Sequence, residues 1–173
     1  NPNFSRPRYK EYCVYKMNMV LDMLKVFKEN GIYDSSTIII LGDHGEAFGQ
    51  HTGNFYHYGH LYEENIRVPL LISNPILFNG SVITDNPAVT ADVLPTILEL
   101  LDWEKADQLI HGKSLFSVEQ KHMLFYSSRF GDFKYALRDG NFKFIIRPEL
   151  HTVELYNLST DPDENNNIFQ KNH

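Results

Sequence analysis

The stretch that decides the fold is Thr37-Ile38-Ile39-Ile40-Leu41-Gly42-Asp43-His44-Gly45-Glu46. Residues 37–41 are a short β-branched run without polar alternation, which is typical of a strand buried on both faces of a parallel sheet. Upstream, residues 8–30 repeat apolar side chains every three or four positions, and Gly31 then ends the helix that this spacing predicts. The apolar stripe of that helix consists of Tyr12, Tyr15, Met19, Met23 and Val26. A helix that leads into a buried strand predicts an α/β fold, here part of a parallel sheet flanked by helices.

The chain after this strand alternates between irregular and regular patterns. Residues 42–65 are rich in Gly, His, Tyr and Phe and show no period, which predicts a long functional loop. Residues 68–72 predict a second strand. Residues 92–101 predict a short helix with Val93, Ile97, Leu98 and Leu101 on one side, and Pro95 fits only in its first turn.

The last third of the chain has a different pattern. Four short apolar segments predict the strands of a small antiparallel sheet: residues 123–127, 133–138, 142–147 and 153–156. Asp139-Gly140 between the second and third segments is a strong hairpin signal. Residues 161–173 are polar and rich in Asn, and we expect a loosely held tail. We therefore predict an α/β part in residues 1–115 and an antiparallel subdomain with a polar tail in residues 116–173.

Composition and charge argue against several classes of protein. The net charge is −6 and the pI is about 5.7, which disfavours a nucleic-acid partner because phosphate binding needs clustered Lys and Arg. Cys13 is the only cysteine, so an intrachain disulfide and a cysteine-based metal site are both impossible. No apolar run reaches the length of a membrane span. The sequence begins with Asn1 rather than Met, and we expect it to be part of a longer or processed chain.

Asp43 and His44 come directly after the first predicted strand. Ligand sites in open α/β sheets collect at the carboxyl ends of strands. An adjacent carboxylate and imidazole can coordinate one metal ion from two sides, or two ions a few ångströms apart. Gly42 and Gly45 let the backbone turn sharply around such an ion. The alternative is a strand-end turn in which Asp43 caps the backbone and His44 lies on the surface.

Three more histidines, His51, His57 and His60, lie within ten residues of the irregular loop. Neutral imidazole serves as a metal ligand or proton carrier, and imidazolium binds anions. The alternative for each histidine is packing against the tyrosines of an aromatic-rich, solvated loop.

Six motifs occur in order along the chain. They are Asp43-His44-Gly45-Glu46, Tyr62-Glu63-Glu64 with Arg67-Val68-Pro69, Asp92-Val93-Leu94-Pro95-Thr96, Gly112-Lys113-Ser114-Leu115, Leu137-Arg138-Asp139-Gly140-Asn141-Phe142-Lys143, and Leu155-Tyr156-Asn157-Leu158 with Asp161-Pro162-Asp163-Glu164. Together they resemble the sulfatase family of the alkaline phosphatase superfamily, and several ordered motifs are more specific than any one. The resemblance implies an alkaline-phosphatase-like parallel sheet with a small C-terminal antiparallel subdomain.

The resemblance also implies an activity, metal-dependent hydrolysis of sulfate esters. Asp43 and His44 would be metal ligands, and His57 or its competitor His60 would be the catalytic histidine that contacts the anionic oxygens of the ester. The implied cofactor is a divalent metal ion; Ca²⁺ is favoured, with Mn²⁺, Mg²⁺ and Zn²⁺ as alternatives. The implied compartment is periplasmic, extracellular or lysosomal.

One part of the family pattern is absent. The nucleophile motif, Cys/Ser-x-Pro-x-Arg, does not occur, because Cys13 is followed by Val14-Tyr15-Lys16. We therefore expect this chain to need the missing N-terminal half of the enzyme as a partner, and to have little or no turnover alone. Two alternatives stay open: a phosphoryl-transferring or phosphodiester- or phosphonate-hydrolysing relative, such as a phosphoglycerol or phosphoethanolamine transferase, and a non-catalytic fragment that binds a metal or a partner.

Overall fold

A computed structural model describes residues 5–84, 86–103, 110–117, 122–129 and 132–169. Three α-helices occur in these ranges: α1 (Arg6–Glu29), α2 (Glu63–Ile66) and α3 (Val93–Leu100). The strands are β1 (Ile38–Leu41), β2 (Ala47–Phe48), β3 (Phe55–Tyr56), β4 (Leu70–Ser73), β5 (His122–Arg129), β6 (Asp132–Asp139), β7 (Phe142–Arg147) and β8 (Thr152–Asn157). Among the helices of the described ranges, none is both long enough and apolar enough to span a membrane.

Residue contacts divide the chain into two compact units. The first unit comprises Asn1–Tyr56 and Arg67–Ile83, and the second comprises His57–Ile66 and Thr84–His173. The second unit thus includes residues 57–65, the last nine residues of the predicted loop. The predicted boundary between residues 115 and 116 is drawn differently and stays a prediction.

The first helix forms where the apolar spacing predicted it. Pro7 lies in the first turn of α1, where its missing N–H is not needed. Gly31 follows the helix with a φ of 68°, in the left-handed region that glycine adopts without strain. The five residues of the predicted apolar stripe are between 46% and 59% exposed, and none of the residues of α1 is buried. The spacing of the stripe therefore predicts the helix but not the burial of its apolar face.

The first sheet differs from the prediction in strand direction. β1 pairs with β4, and the two strands run antiparallel, with Ile38 opposite Ser73 and Leu41 opposite Leu70. Residues 37–41 therefore contain the predicted strand, but its neighbour β4 in this chain is not parallel to it, and Leu41 is 41% exposed. An apolar β-branched run reports that a strand forms, but it does not report the direction of its neighbour.

The long predicted loop contains regular structure. β2 and β3 form a small antiparallel ribbon in which Ala47 is opposite Tyr56 and Phe48 is opposite Phe55. A Cβ at Gly49 would lie only 2.8 Å from the Phe55 ring. Gly49 also has a φ of 86°, so a larger residue would disturb this ribbon.

The second unit contains the antiparallel sheet that the last third of the sequence predicted. Its four strands lie in the order β5-β6-β7-β8, each antiparallel to the next. The predicted hairpin is confirmed: Asp139 is opposite Phe142, and Gly140 in the turn has a φ of 55°. Leu61 of the predicted loop packs into the core of this unit with three residues of the sheet, Ala136, Ile145 and Tyr156.

Two of the family-like motifs hold α3 in place. The buried Asp92 carboxylate accepts hydrogen bonds from the N–H groups of Val89 at 3.0 Å and Lys113 at 2.8 Å. The Thr96 hydroxyl donates to the Asp92 carbonyl at 2.6 Å and accepts from the N–H of Leu115 at 2.9 Å. These contacts give both motifs a structural role.

The predicted loose tail is wrong for residues 161–169. Glu164 is 1% exposed. The Asn167 side chain donates to the Val153 carbonyl at 3.1 Å and accepts from the Leu155 N–H at 3.0 Å, so it pairs with the free edge of β8. Asparagine side chains carry the same donor and acceptor groups as a peptide bond, which is why a polar segment is held here. Residues 170–173 lie outside the described ranges.

Candidate functional site

Asp43 and His44 lie in the first unit, just beyond the end of β1. The N–H of Gly42 continues the ladder by donating to the Pro69 carbonyl at 3.1 Å, and a Cβ at Gly42 would lie only 3.1 Å from the Val68 side chain. A small residue at position 42 therefore lets the chain leave the sheet beside β4. The Asp43 side chain is 89% exposed at this point.

The hydrogen bonds of this pair orient the His44 imidazole. Asp43 Oδ1 accepts the N–H of His44 at 3.0 Å. His44 Nδ1 lies 2.9 Å from the Gly45 carbonyl oxygen. Because a carbonyl oxygen only accepts, Nδ1 carries the proton in the neutral ring and Nε2 carries the lone pair. That is the tautomer a metal ligand binding through Nε2 would need.

The separation of the two side chains fits a shared metal ion. His44 Nε2 lies 3.7 Å from Asp43 Oδ2. Metal–oxygen and metal–nitrogen bonds of about 2.3 and 2.1 Å together exceed this distance, so one ion can contact both atoms. In the part of the chain that is described, no group of three or more His, Cys, Asp or Glu side chains could hold a metal. Since divalent ions take about four to eight ligands, Asp43 and His44 supply only one part of a site.

The three loop histidines have different surroundings. His51 lies in the β2–β3 connection of the first unit, where its carbonyl accepts the N–H of Asn54 at 3.0 Å. His57 belongs to the second unit, is exposed, and meets the ring of Tyr58 edge-on at 5.1 Å between centroids. His60, also in the second unit, is half-buried. The structure thus places the predicted metal ligands in one unit and both predicted catalytic histidines in the other.

His60 is packed rather than presented. Its ring stacks on that of Tyr62, with centroids 5.8 Å apart and planes 17° apart. Burial, followed by the positive charges of Lys134 and Arg147, lowers the pKa of His60 from 6.5 to about 4, although Asp132 and Glu64 act in the opposite direction. His60 is therefore a neutral ring at neutral pH.

We expect the second unit to lose stability as the pH falls from 6.5 towards 4. Within that window the unfolded chain protonates His60 and the folded chain does not, so protons favour unfolding. The contribution is fully present above the unfolded pKa and is lost towards the folded pKa. Urea unfolding of the complete protein, followed by near-ultraviolet circular dichroism between pH 7 and pH 4.5, measures this slope. His60→Gln cannot titrate and should reduce the slope; an unchanged slope in that variant would contradict the prediction.

Several basic residues that lie around the segment 57–63 were not among the predicted site residues. Lys134 and Arg147 both contact Asp132, at 3.0 and 2.8 Å. Lys143, which is fully buried, contacts Glu63 at 3.0 Å. Lys134 lies on β6, and Lys143 and Arg147 lie on β7. All three are on the face of the sheet opposite the exposed rings of Phe133, Tyr135 and Phe142. The sequence signal that could have identified them is a lysine between apolar residues of a predicted strand, such as Lys134 in residues 133–138.

Comparison with known proteins supports the resemblance. The Sulfatase family model matches residues 10–103. The chain is similar to Arylsulfatase K of Bos taurus, with 27% identity over 184 aligned positions that cover 96% of this chain and 33% of the relative. This chain thus spans about a third of the length of the curated relatives it matches.

Two solved structures share the fold with a TM-score of 0.73 each. One is a protein in complex with its substrate D-Glucosamine-2-N,6-O-disulfate, 23% identical, with 87% of this chain and 33% of that chain covered. The other is a phosphonate monoester hydrolase from Silicibacter pomeroyi, 22% identical, with 88% and 34% covered. They confirm the predicted alkaline-phosphatase-like fold with its C-terminal antiparallel sheet. Because the Sulfatase family model matches more than half of the residues of this chain, the chain belongs to the sulfatase family.

Proposed function

We propose that the complete protein containing this chain hydrolyses sulfate esters with the help of a divalent metal, and that this chain supplies part of the active site. The observation that carries the proposal is the Asp43–His44 pair, which lies at the end of β1 in a member of the sulfatase family with Nε2 of His44 and Oδ2 of Asp43 3.7 Å apart. The resemblance implies that the nucleophile, whose motif does not occur in this sequence, and further metal ligands belong to other parts of the complete protein.

Asp43 and His44 are the residues that would hold the metal in this proposal. Among the candidate ions, the resemblance to sulfatases favours Ca²⁺, and Mn²⁺, Mg²⁺ and Zn²⁺ are the alternatives. When bound, the metal supplies positive charge that offsets the negative charge of the sulfate group. His44 keeps its lone pair on Nε2 through the contact of Nδ1 with Gly45.

We assign the catalytic role to His57 rather than His60. His57 is exposed, so its ring is accessible to a ligand. His60 is stacked on Tyr62 and kept neutral by burial, so it is poorly suited to bind an anion. The neutral His57 ring would donate a hydrogen bond to the ester oxygens where negative charge develops. The protonated ring would also place a positive charge beside them.

A phosphoryl or phosphonyl ester is the second candidate substrate. The likeness to a phosphonate monoester hydrolase favours this class of ester, and a metal held by Asp and His suits both sulfate and phosphoryl esters. We also propose that the protein acts in an exported compartment, periplasmic, extracellular or lysosomal. The family resemblance alone supports that placement.

Turnover of two esters tests the proposal and the histidine assignment together. The complete protein, loaded with Ca²⁺ or Mn²⁺, is expected to hydrolyse 4-nitrophenyl sulfate faster than 4-nitrophenyl phosphate. His57→Ala should lower kcat by about 100-fold, the effect of removing one donor to a developing oxyanion. His60→Gln, the matched variant three residues away, should change kcat by only a few-fold.

Faster phosphate hydrolysis would favour the second candidate. A larger loss in His60→Gln than in His57→Ala would reverse the histidine assignment. Absence of turnover with both esters, in protein that binds metal, would favour a non-catalytic binding module.

A further inference from the structure

The segment that carries His57 and His60 is attached to the antiparallel sheet of the second unit. Leu61, between the histidines and α2, is buried in the core of that unit. The Tyr62 ring meets the ring of Tyr156 from β8 edge-on, with centroids 6.4 Å apart. The position of the segment is therefore set by side chains that lie far from it in sequence.

Lys134 holds the backbone of this segment directly. Its side chain is only 5% exposed, and its Nζ donates a hydrogen bond to the carbonyl of Gly59, which lies two residues after His57 and directly before His60. Gly59 is buried and has a φ of 86°, a conformation that favours glycine. A charged donor on a buried carbonyl is among the stronger hydrogen bonds in proteins.

Asp132 in turn holds Lys134. Asp132 Oδ2 lies 3.0 Å from Lys134 Nζ and 2.8 Å from Nη2 of Arg147. Burial alone would raise the pKa of the Asp132 carboxyl, but the hydrogen bonds from Lys134 and Arg147 lower it below its ordinary value. The ionised carboxylate fixes the direction of the Lys134 ammonium.

A second contact fixes the other end of the segment. The N–H of Glu63, the first residue of α2, donates to Glu164 Oε2 at 2.6 Å. Lys143 Nζ lies 3.0 Å from Glu63 Oε1 and 2.8 Å from Glu164 Oε1. The segment is thus held at Gly59 from β6 and at Glu63 from β7 and from the 161–169 segment.

We propose that Lys134 is a positioning residue for His57, which it places by holding the Gly59 carbonyl from strand β6. This inference rests on the proposed role of His57 as the residue that contacts the ester. His57 is exposed and lies only two residues from Gly59, so the Lys134 bond restrains the backbone close to it. A shift of about 1 Å in a substrate-contacting group can cost about 100-fold in rate.

The experiment compares Lys134→Met, Lys134→Arg and wild type in the complete, metal-loaded protein. Lys134→Met keeps the aliphatic stem and removes the donor, and Lys134→Arg keeps a charged donor. The matched control is Lys25→Met, which removes an exposed lysine from α1. Three quantities are measured: kcat and KM for 4-nitrophenyl sulfate, hydrogen exchange of amides 57–61, and the NMR signals of the His57 imidazole.

Lys134→Met is expected to lower kcat by 10- to 100-fold, to speed exchange of amides 57–61 by about tenfold and to shift the His57 signals. Exchange in β7 and β8 should stay near that of wild type. Lys134→Arg should recover most of the lost kcat, and Lys25→Met should match wild type. If Lys134→Met does not fold, Lys134→Leu takes its place, because leucine also has no donor for the Gly59 carbonyl.

Wild-type exchange and wild-type kcat in the Lys134 variant would overturn the proposal. Faster exchange with unchanged kcat and unchanged His57 signals would overturn it too, since Lys134 would then serve stability alone. If wild type itself hydrolyses no sulfate ester, the proposed function fails, and amide exchange with the His57 signals still decides whether Lys134 places the histidine.

Discussion

Replacing Asp43 with alanine in the complete protein is expected to weaken divalent-metal binding by more than about 100-fold. Loss of a residue that only supports a ligand typically costs 10- to 100-fold, and loss of a ligand itself should cost more. Asp43 is also the only anionic donor of the pair, so its removal takes away the charge that attracts the cation. Hydrolysis of 4-nitrophenyl sulfate should fall in parallel.

Isothermal titration of the metal-free protein with Ca²⁺ and with Mn²⁺ measures this effect without reference to activity. Asp34→Ala is the matched control, because Asp34 is an exposed aspartate just upstream of β1 and its removal changes the net charge equally. If Asp43→Ala and His44→Ala both bind metal as tightly as wild type, the site assignment is wrong. A loss of the same size in Asp34→Ala would point to net charge instead of coordination.

His44→Asn extends the same titration to the identity of the metal. Asparagine replaces the imidazole nitrogen with a carbonyl oxygen, a ligand that Ca²⁺ accepts readily and Zn²⁺ does not prefer. We expect this variant to keep much of its affinity for Ca²⁺ if that is the natural ion. Near-complete loss of affinity in His44→Asn would instead favour Zn²⁺ or Mn²⁺.

The strands of this protein could be predicted from sequence because their patterns are local. The short apolar segments at residues 133–138 and 142–147 and the Asp139-Gly140 turn between them are properties of a few neighbouring residues, and the observed hairpin follows them. Strand direction is not local: residues 37–41 look the same in a parallel and an antiparallel sheet, and only the return of the chain at β4 decides between them.

The candidate site could likewise be predicted only where its signal is local in the sequence. Asp43 and His44 could be found because the end of a strand is visible in sequence. The choice between His57 and His60 could not be made, because the stacking of His60 on Tyr62 and its nearness to Lys134 arise only in the folded second unit. The role of Glu164 was hidden for the same reason: its partner Lys143 is distant in sequence, and a polar stretch with many asparagines resembles a tail.

The Lys143–Glu164 pair leads to the second large effect that we expect. Lys143→Met should lower the opening free energy of the second unit by about 3–5 kcal/mol, the usual cost of removing one partner of a buried ion pair. Both side chains are fully buried, and Glu63 lies on the same ammonium group. The variant therefore leaves two carboxylates together without the cation that offsets their repulsion. Hydrogen exchange of the β7 and β8 amides measures the opening free energy.

A double variant separates the effect of losing the Lys143–Glu164 ion pair from the effect of losing the packing of the Lys143 side chain. Lys143→Met with Glu164→Gln should regain much of the stability, because the neutral amide oxygen can still accept the N–H of Glu63. The one carboxylate that remains, Glu63, still has Arg138 Nη1 at 3.9 Å. Failure of the double variant to exceed Lys143→Met would mean that packing of the Lys143 stem matters more than its charge.

The effect of Lys143→Met should also depend on pH. Burial raises the pKa of Glu164, and Lys143 is the largest influence that opposes this rise. Without Lys143 the folded-state pKa should rise further above that of the unfolded chain. A carboxyl group with a raised folded-state pKa favours the folded state when it is protonated, and this contribution disappears as the pH rises through that pKa. Lys143→Met should therefore be less destabilising at pH 5 than at pH 7, whereas a loss caused by packing alone would be the same at both.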